Sequence, residues 1–336
     1  MKKADKKTTI YDLAKALGTS PSTVSAALNG TWKSRRISEK KALQIQDAAR
    51  EQGYYINMQA RGLRSAKSGM VGMLVPQHNS RFFASMAQEF DHCAKARNLC
   101  PVVIATERET ADELKTVETL ISFSVDALFT AGATNPDAIS HLCQQAAIPH
   151  INIDLPGTKA PSVITDNYSG ATRLVTALHQ RAAKAGLHGD GIIFIGGNPQ
   201  DYATSERIRG FHDAIKDLFT GDCPVYAEGY LPEQARETAN RVFSSLAKPP
   251  SALFINSVTV FEGIIQYMQE HRDHPLQHTA IGCFDYHPFL AYMPFEVVMV
   301  KQNVEEMVRT AFEIWESDRP ANTLVRIEPE LVGVGG

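Results

Sequence analysis

Gly18-Thr-Ser-Pro-Ser-Thr-Val-Ser-Ala-Ala-Leu-Asn-Gly30 is the stretch from which the rest of the chain can be read. Ser20 suits an N-cap, and Pro21 suits the first helical position, whose N–H would be unpaired anyway. Val24, Ala27 and Leu28 then line the inner face of a helix that Gly30 can end in a left-handed conformation. Upstream, Thr9-Ile-Tyr-Asp-Leu-Ala-Lys-Ala-Leu-Gly18 places Ile10, Leu13, Ala14 and Leu17 on one 3.6-period face and predicts a helix that Gly18 breaks. Two short helices across a four-residue turn make a helix-turn-helix. The outward residues of the second helix, Pro21, Ser22, Ser25 and Ala26, would face a DNA major groove.

Charge supports the same reading. Residues 1–67 carry 14 Lys and Arg against 5 Asp and Glu, which leaves 20 against 32 for residues 68–336. A chain with a net charge of only −3 is therefore a basic head on an acidic body. Such a head attracts phosphates and should bind them less tightly as salt rises.

Thr9-Ile-Tyr-Asp-Leu-Ala, followed by Ser-Thr-Val-Ser and Leu-Asn-Gly, resembles the headpiece of lactose-repressor (LacI) family transcription regulators. A third headpiece helix is expected from the Ser38 cap to about Gln52, closed by Gly53. The connection Thr31-Trp-Lys-Ser-Arg-Arg-Ile37 is longer and more basic than in the lactose repressor and is similar to the fructose/catabolite-repressor branch. Lys33, Arg35 and Arg36 are candidate phosphate or groove contacts there. Ala26 stands where the family usually has an arginine, and alanine offers only an apolar touch to a thymine methyl. Met58-Gln-Ala-Arg-Gly-Leu-Arg64 resembles the family's hinge helix, and Leu63 matches the leucine that wedges into the minor groove. The resemblance implies DNA contacts at Thr9, Ser20, Pro21, Ser22, Thr23, Ser25, Ala26, Asn29, Lys33, Arg35, Arg36, Asn57, Arg61 and Leu63.

From Gly69 the pattern becomes α/β alternation. Apolar runs at 70–75, 102–105, 127–130 and 150–153 suit buried parallel strands, with helical patterns between them. A second set covers 191–195, 252–255, 280–284 and 297–300. The expected fold is α/β: an all-α helix-turn-helix headpiece, then two doubly wound parallel-sheet subdomains like those of the periplasmic-binding-protein sensors of this family. By that likeness the headpiece covers 1–56 and the hinge 57–68. The first subdomain would take 69–164 plus 303–322, and the second 165–302 plus 323–336.

Doubly wound sheets bind ligands beyond the carboxyl ends of their strands. The expected effector contacts are Phe82, Phe83, Asp154, Arg207, Tyr230, Ser257, Thr259, Asp285 and Gln302. Arg207 lies in Thr204-Ser-Glu-Arg-Ile-Arg-Gly-Phe211, which resembles the family's effector-arginine segment, with Arg209 as the alternate. Carboxylates accept hydroxyl hydrogens, a guanidinium donates in a fixed fork, and an aromatic ring covers a sugar's C–H face. A sugar or sugar phosphate fits that set. Arg81 reads as a solvated charge rather than a phosphate contact.

Several classes are disfavoured. The five cysteines (93, 100, 143, 223 and 283) show neither zinc spacing nor a redox pair. His271, His274 and His278 are interrupted by Pro275 and make no metal site. Gly186-Leu-His-Gly-Asp-Gly191 precedes a strand, so it is not the dinucleotide fingerprint. No nucleophile elbow or phosphate-binding loop appears. No apolar run approaches a membrane span, and the basic N-terminus has no apolar segment behind it to make a secretion signal. With no terminal leucine heptads, a homodimer is expected. The sequence thus predicts a cytoplasmic, non-enzymatic regulator needing no cofactor, with operator DNA and a small effector as partners. A sugar-binding receptor and a kinase-like sugar enzyme are the alternatives.

Overall fold

The computed structural model describes residues 8–55 and 67–333, apart from 79, 188, 190, 220, 272–274 and 318. The expected hinge contacts Asn57, Arg61 and Leu63 lie outside the described residues, as does His274. Two units divide at Ser68/Gly69.

The headpiece consists of α1 (Ile10–Ala16), α2 (Pro21–Leu28) and α3 (Glu39–Glu51), each started by the cap its sequence announces. Thr9 and Asp12 form a reciprocal capping box, while Ser20 and Ser38 accept the backbone N–H groups of Thr23 and Lys41. Leu13, Val24, Ala27, Ala42, Ile45 and Ala49 make the core, with Trp32 and Tyr54 packed at its edge. From α3, Lys41 donates to the Leu17 carbonyl at 3.2 Å and Gln46 to the Ala27 carbonyl at 3.1 Å. These two bonds tie α3 to the turn and to the end of α2.

One expectation for the headpiece fails. Ala26 is not on the outward face: it is 8% exposed, and the turn after α2 folds back so that the Thr31 N–H reaches the Ala26 carbonyl at 3.0 Å.

In the second unit the apolar runs become two six-stranded sheets. The first has the order β11-β5-β4-β3-β1-β2, from β1 (Met70–Val75), β2 (Cys100–Ala105), β3 (Ala127–Ala131), β4 (His150–Ile153), β5 (Ser162–Thr165) and β11 (Leu324–Ile327). All its pairings are parallel. One face is covered by α4 (Arg81–Ala96) and α11 (Val304–Glu316), the other by α5 (Thr110–Ser122) and α6 (Pro136–Gln145). The second sheet runs β12-β10-β9-β8-β6-β7, from β6 (Ile192–Ile195), β7 (Val225–Tyr226), β8 (Ala252–Ile255), β9 (Ala280–Phe284), β10 (Val297–Lys301) and β12 (Glu330–Val332). Only β12 is antiparallel within it. Its faces carry α7 (Asn167–Lys184) with α8 (Tyr202–Leu218), and α9 (Pro232–Ser245) with α10 (Val258–Glu270). Gly210 permits the α7–α8 packing, because a Cβ there would lie 2.4 Å from the Tyr168 carbonyl oxygen.

The chain crosses between the halves after β5, after β10 and after β11. The last crossing comes later than expected. Residues from about 323 should have joined the second half, but Leu324–Ile327 pairs with β5 in register Leu324↔Ser162 to Ile327↔Thr165. Return waits for Glu330, opposite Lys301. The alternating Leu-Val-Arg-Ile marks a half-exposed edge strand, a pattern either sheet could accept.

Candidate ligand cleft

The carboxyl ends of both sheets supply the cleft. From the first half come the α4 turn after β1, with Phe82 and Phe83, and Asp154 just past β4. From the second come Arg207 on α8, Tyr230 after β7, Ser257 and Thr259 at the start of α10, Asp285 after β9 and Gln302 after β10. All nine line one cavity of about 240 Å³.

Arg207 is the best-anchored member, only 4% exposed. Its Nε donates to Asn167 Oδ1 at 2.8 Å, its Nη1 to the Asn256 carbonyl at 2.7 Å, and its guanidinium lies 3.8 Å from the Phe284 ring centroid. Those contacts leave Nη2 without a hydrogen bond to the described residues. The alternate, Arg209, is exposed, pairs with Glu206 on the same helix and lies over Tyr168.

Two carboxylates, buried Asp154 and half-buried Asp285, flank Arg207. Asp285 accepts from Gln302 Nε2 at 2.7 Å and from the Val258 backbone N–H, and burial raises its pKa despite Arg207. Gln302 in turn accepts the Thr165 hydroxyl at 2.6 Å, so two of the crossover segments meet beside the ligand carboxylate. Asp154 is 6% exposed; its backbone N–H donates to the Val163 carbonyl at 2.9 Å, but its carboxylate hydrogen-bonds to none of the described residues. Burial pushes its carboxyl up to about 6, against the opposing pull of Arg108 and Arg207. Its backbone is left-handed (φ 73°), a conformation non-glycine residues adopt at a cost that clusters at functional sites.

The aromatic floor is rigid. Phe82 and Phe83 meet edge to face at 5.0 Å. Gly132 lies against Phe83, where a Cβ would come within 2.9 Å of the ring, and it also has a positive φ of 60°. The Tyr230 hydroxyl is 2.7 Å from Thr204 Oγ1, and Ser257 also caps α10 by accepting from Val260 N at 3.2 Å. Arg81 points away from this cavity. It lines an adjoining chamber of about 520 Å³ with His287 and Lys301, and Phe82 borders both spaces.

Four further positions of the cleft escaped sequence reasoning. Asn167 and Asn256 orient Arg207 from helix and strand ends some 40 and 49 residues away, with no local signal. Arg108 and Asp201 line the cavity and pair at 3.5 Å. A signal for Arg108 did exist: it follows β2, one of the first-half strand ends to which no ligand residue had been assigned, and such ends face the cleft.

On the headpiece, Ser22 is exposed, whereas Pro21, Thr23 and Ser25 are half-buried. Ser20 Oγ is occupied by capping, Thr9 by its capping box, and Asn29 Nδ2 by the Ser25 carbonyl at 2.8 Å. Lys33, Arg35 and Arg36 are exposed and form no ion pair with any described residue, although Lys33 Nζ lies 5.2 Å from the Trp32 ring centroid.

Residues 71–314 match the model of a periplasmic binding protein domain. The ribitol operon repressor of Klebsiella aerogenes is 48% identical over 57% of this chain and 71% of that protein. The chain belongs to the LacI family of transcription regulators. The sucrose operon repressor of Klebsiella pneumoniae, 26% identical over 92% of this chain and 91% of its own length, is a more distant relative. Among solved structures, the Lac repressor dimer bound to operator and the anti-inducer ONPF superposes with a TM-score of 0.80 over 97% of this chain and 98% of that one, at 16% identity. The Cra regulator of Pseudomonas putida with fructose 1-phosphate gives 0.69 over 80% and 99%, at 21% identity. These likenesses concern the fold. The LacI-family architecture accounts for a helix-turn-helix unit followed by a two-sheet sensor, and among the described residues no helix is long and apolar enough to cross a membrane.

Proposed function

We propose that this protein is a carbohydrate-responsive operon repressor that binds a near-palindromic operator as a homodimer. Its effector, a sugar or sugar derivative, sits in the cleft between the two sheets. The observation that carries the effector reading is Asp154, a buried carboxylate without a partner, facing a cavity that also presents the free edge of the Arg207 guanidinium. A hydroxyl pair satisfies both. The relatives named above are repressors of polyol and sugar operons, which supports the same class.

Effector binding shifts the first subdomains relative to their dimer mates and parts the hinge segments, including the Leu63 wedges, so operator affinity falls. By linkage, an inducer that weakens operator binding ten-fold binds the operator-bound dimer ten-fold more weakly itself, about 1.4 kcal/mol of coupling. The protein works in the cytoplasm as a binder rather than an enzyme. Incubated with nucleotide and a sugar panel it should form no product; turnover would overturn that part.

The test of the whole is fluorescence anisotropy with duplexes from the protein's own promoter region and with random duplex, at moderate ionic strength. Preference for the promoter duplex, altered by a sugar or polyol that also raises the melting temperature, is expected. Equal affinity for both duplexes, with every compound tried, sinks the reading.

A further inference from the structure

We propose that Arg108 and Asp201 form a clasp across the mouth of the cleft that admits an uncharged polyhydroxyl effector and disfavours a phosphorylated one. The inference rests on the cleft being the effector site and names the chemical class it takes.

Arg108 comes from the first half and Asp201 from the second, and their side chains are 36% and 21% exposed, against 4% and 6% for Arg207 and Asp154 deeper in. The pair therefore stands at the rim. Its geometry is not that of an accidental surface contact. Glu107 and Arg108 are successive non-glycine residues with left-handed backbone, at φ 50° and 59°. The bend is pinned by Glu107 N to the Pro76 carbonyl at 2.8 Å, with the Thr134 hydroxyl 3.2 Å from the Arg108 carbonyl. Buried Glu113 holds Thr134 in turn, by both backbone N–H and hydroxyl. The Arg108 guanidinium also lies 5.7 Å from the Tyr230 ring centroid, a second contact with the other half.

Asp201 is equally committed. It occupies the N-cap position of α8, yet its side chain makes no capping bond and turns to Arg108 instead. One residue on, the Tyr202 hydroxyl accepts from Arg326 of β11 at 3.4 Å. Two arginines of the first half thus reach the start of α8.

Charge then decides the ligand. Asp154, Asp201 and Asp285 line the cavity against Arg108 and Arg207. Arg108 Nη1 is paired with Asp201, and Arg207 Nε and Nη1 are held by Asn167 and Asn256, respectively. A polyol donates hydroxyl hydrogens to Asp154 and Asp285 and leaves the clasp shut. A phosphate dianion adds charge to three carboxylates, and within this cavity it meets only the Nη2 edge of Arg207, between Asp154 and Asp285. It can gain a second guanidinium only by taking Arg108 from Asp201, since Arg81 and Lys301 line the adjoining chamber instead.

The test uses full-length protein and its Asp201→Asn, Arg108→Gln and double variants. Calorimetry with ribitol, D-arabitol and xylitol and with their 5-phosphates should show the wild type favouring a free pentitol by roughly ten-fold. Asp201→Asn should lose affinity for the pentitol and gain it for the phosphate. Parallel losses for both, or a wild type preferring the phosphate, overturn the clasp. If the wild type binds neither, the effector reading fails separately, and two measurements still decide the clasp. Inorganic phosphate should raise the melting temperature of Asp201→Asn but not of the wild type. Hydrogen exchange at 106–109 and 199–203 should rise equally in both single variants and the double. No phosphate effect, or additive exchange, rejects it.

Discussion

The headpiece and the cleft are held together by opposite means. In the headpiece each helix is started by a side-chain bond spanning three residues (Thr9 with Asp12, Ser20 with Thr23, Ser38 with Lys41), and the bonds that tie α3 to the turn and to α2 span only 24 and 19. In the cleft such bonds span 40 residues from Arg207 to Asn167 and 137 from Thr165 to Gln302. Local caps and a small apolar core favour a unit that forms quickly and stands on its own. The cleft buries charges that cost stability unless each is hydrogen-bonded and paired, and the Asp154 carboxylate accepts no hydrogen bond from the described residues. The DNA-reading unit is thus built to be stable with few residues, whereas the sensor gives up stability at the point where it must bind.

The sharpest way to break this contrast is Arg207→Ala. Removing one partner from a buried charged cluster typically costs about 3–5 kcal/mol, and here it leaves Asp154 and Asp285 facing each other's field. Effector response should vanish and the sensor's thermal transition should fall, while operator binding below that temperature persists. An unchanged dose curve would remove Arg207 from the site. Leu13→Ala probes the other side. Leu13 is fully buried in the headpiece core, and truncating a buried leucine costs about 2–5 kcal/mol. Operator binding should be lost while effector affinity, read by calorimetry, stays within two-fold of the wild type (roughly 0.4 kcal/mol). Loss of both would show that the two regions do not fold independently.

Asp154→Asn sharpens the claim that the cleft gives up stability. Burial pushes the Asp154 carboxyl up from its ordinary 3.8 to about 6. Between those values the folded state keeps a proton that the unfolded chain releases, so this group's contribution to stability falls as pH rises and levels off above 6. The shift is worth about 3 kcal/mol at most. His150, buried and pushed down to about 3, acts oppositely: its contribution is present above pH 6.5 and lost as pH falls. The useful quantity is therefore the difference between variant and wild type. Asp154→Asn should melt higher than the wild type at pH 7.5 and equal to it near pH 4, while binding effector more weakly. Effector affinity of the wild type should rise with pH through about 6, since a hydroxyl donates more strongly to the carboxylate than to the neutral acid. A flat difference in melting temperature across that range would show that burying Asp154 carries no such cost.

The same contrast sets what was legible in the sequence. Ser20, Pro21 and Gly30 each act within one turn of helix, so a local reading places them, and the strand ends that carry Asp154 and Asp285 follow from apolar runs bounded by polar residues. Ala26 misled because helical periodicity assigns a face without knowing that the Thr31 turn folds back over it. The edge strand Leu324–Ile327 misled because its half-polar pattern suits either sheet, and only pairing chooses. Asn167 and Asn256 left no trace, since asparagine at a helix start or strand end is ordinary and its role depends on a guanidinium brought in from elsewhere in the chain.

Two residues along from Arg207, Arg209 provides the smallest expected effect and a control on residue type. Both lie on α8, two positions apart, so the helix rotates them by about 200° and only one can face the cleft. Arg209 is instead exposed, bonded to Glu206 on the same helix at 2.7 Å and 4.0 Å from the Tyr168 ring centroid. A surface pair three residues apart contributes at most about 0.5 kcal/mol, and an exposed guanidinium over the half-buried Tyr168 ring adds about as little. Arg209→Ala should therefore shift the sensor's melting temperature by no more than a degree or two and leave the effector dose curve superimposable on the wild type. If Arg209→Ala instead impaired the effector response as Arg207→Ala does, helix phase would not be what separates the ligand arginine from its neighbour, and the assignment of the cleft face of α8 would have to be reversed.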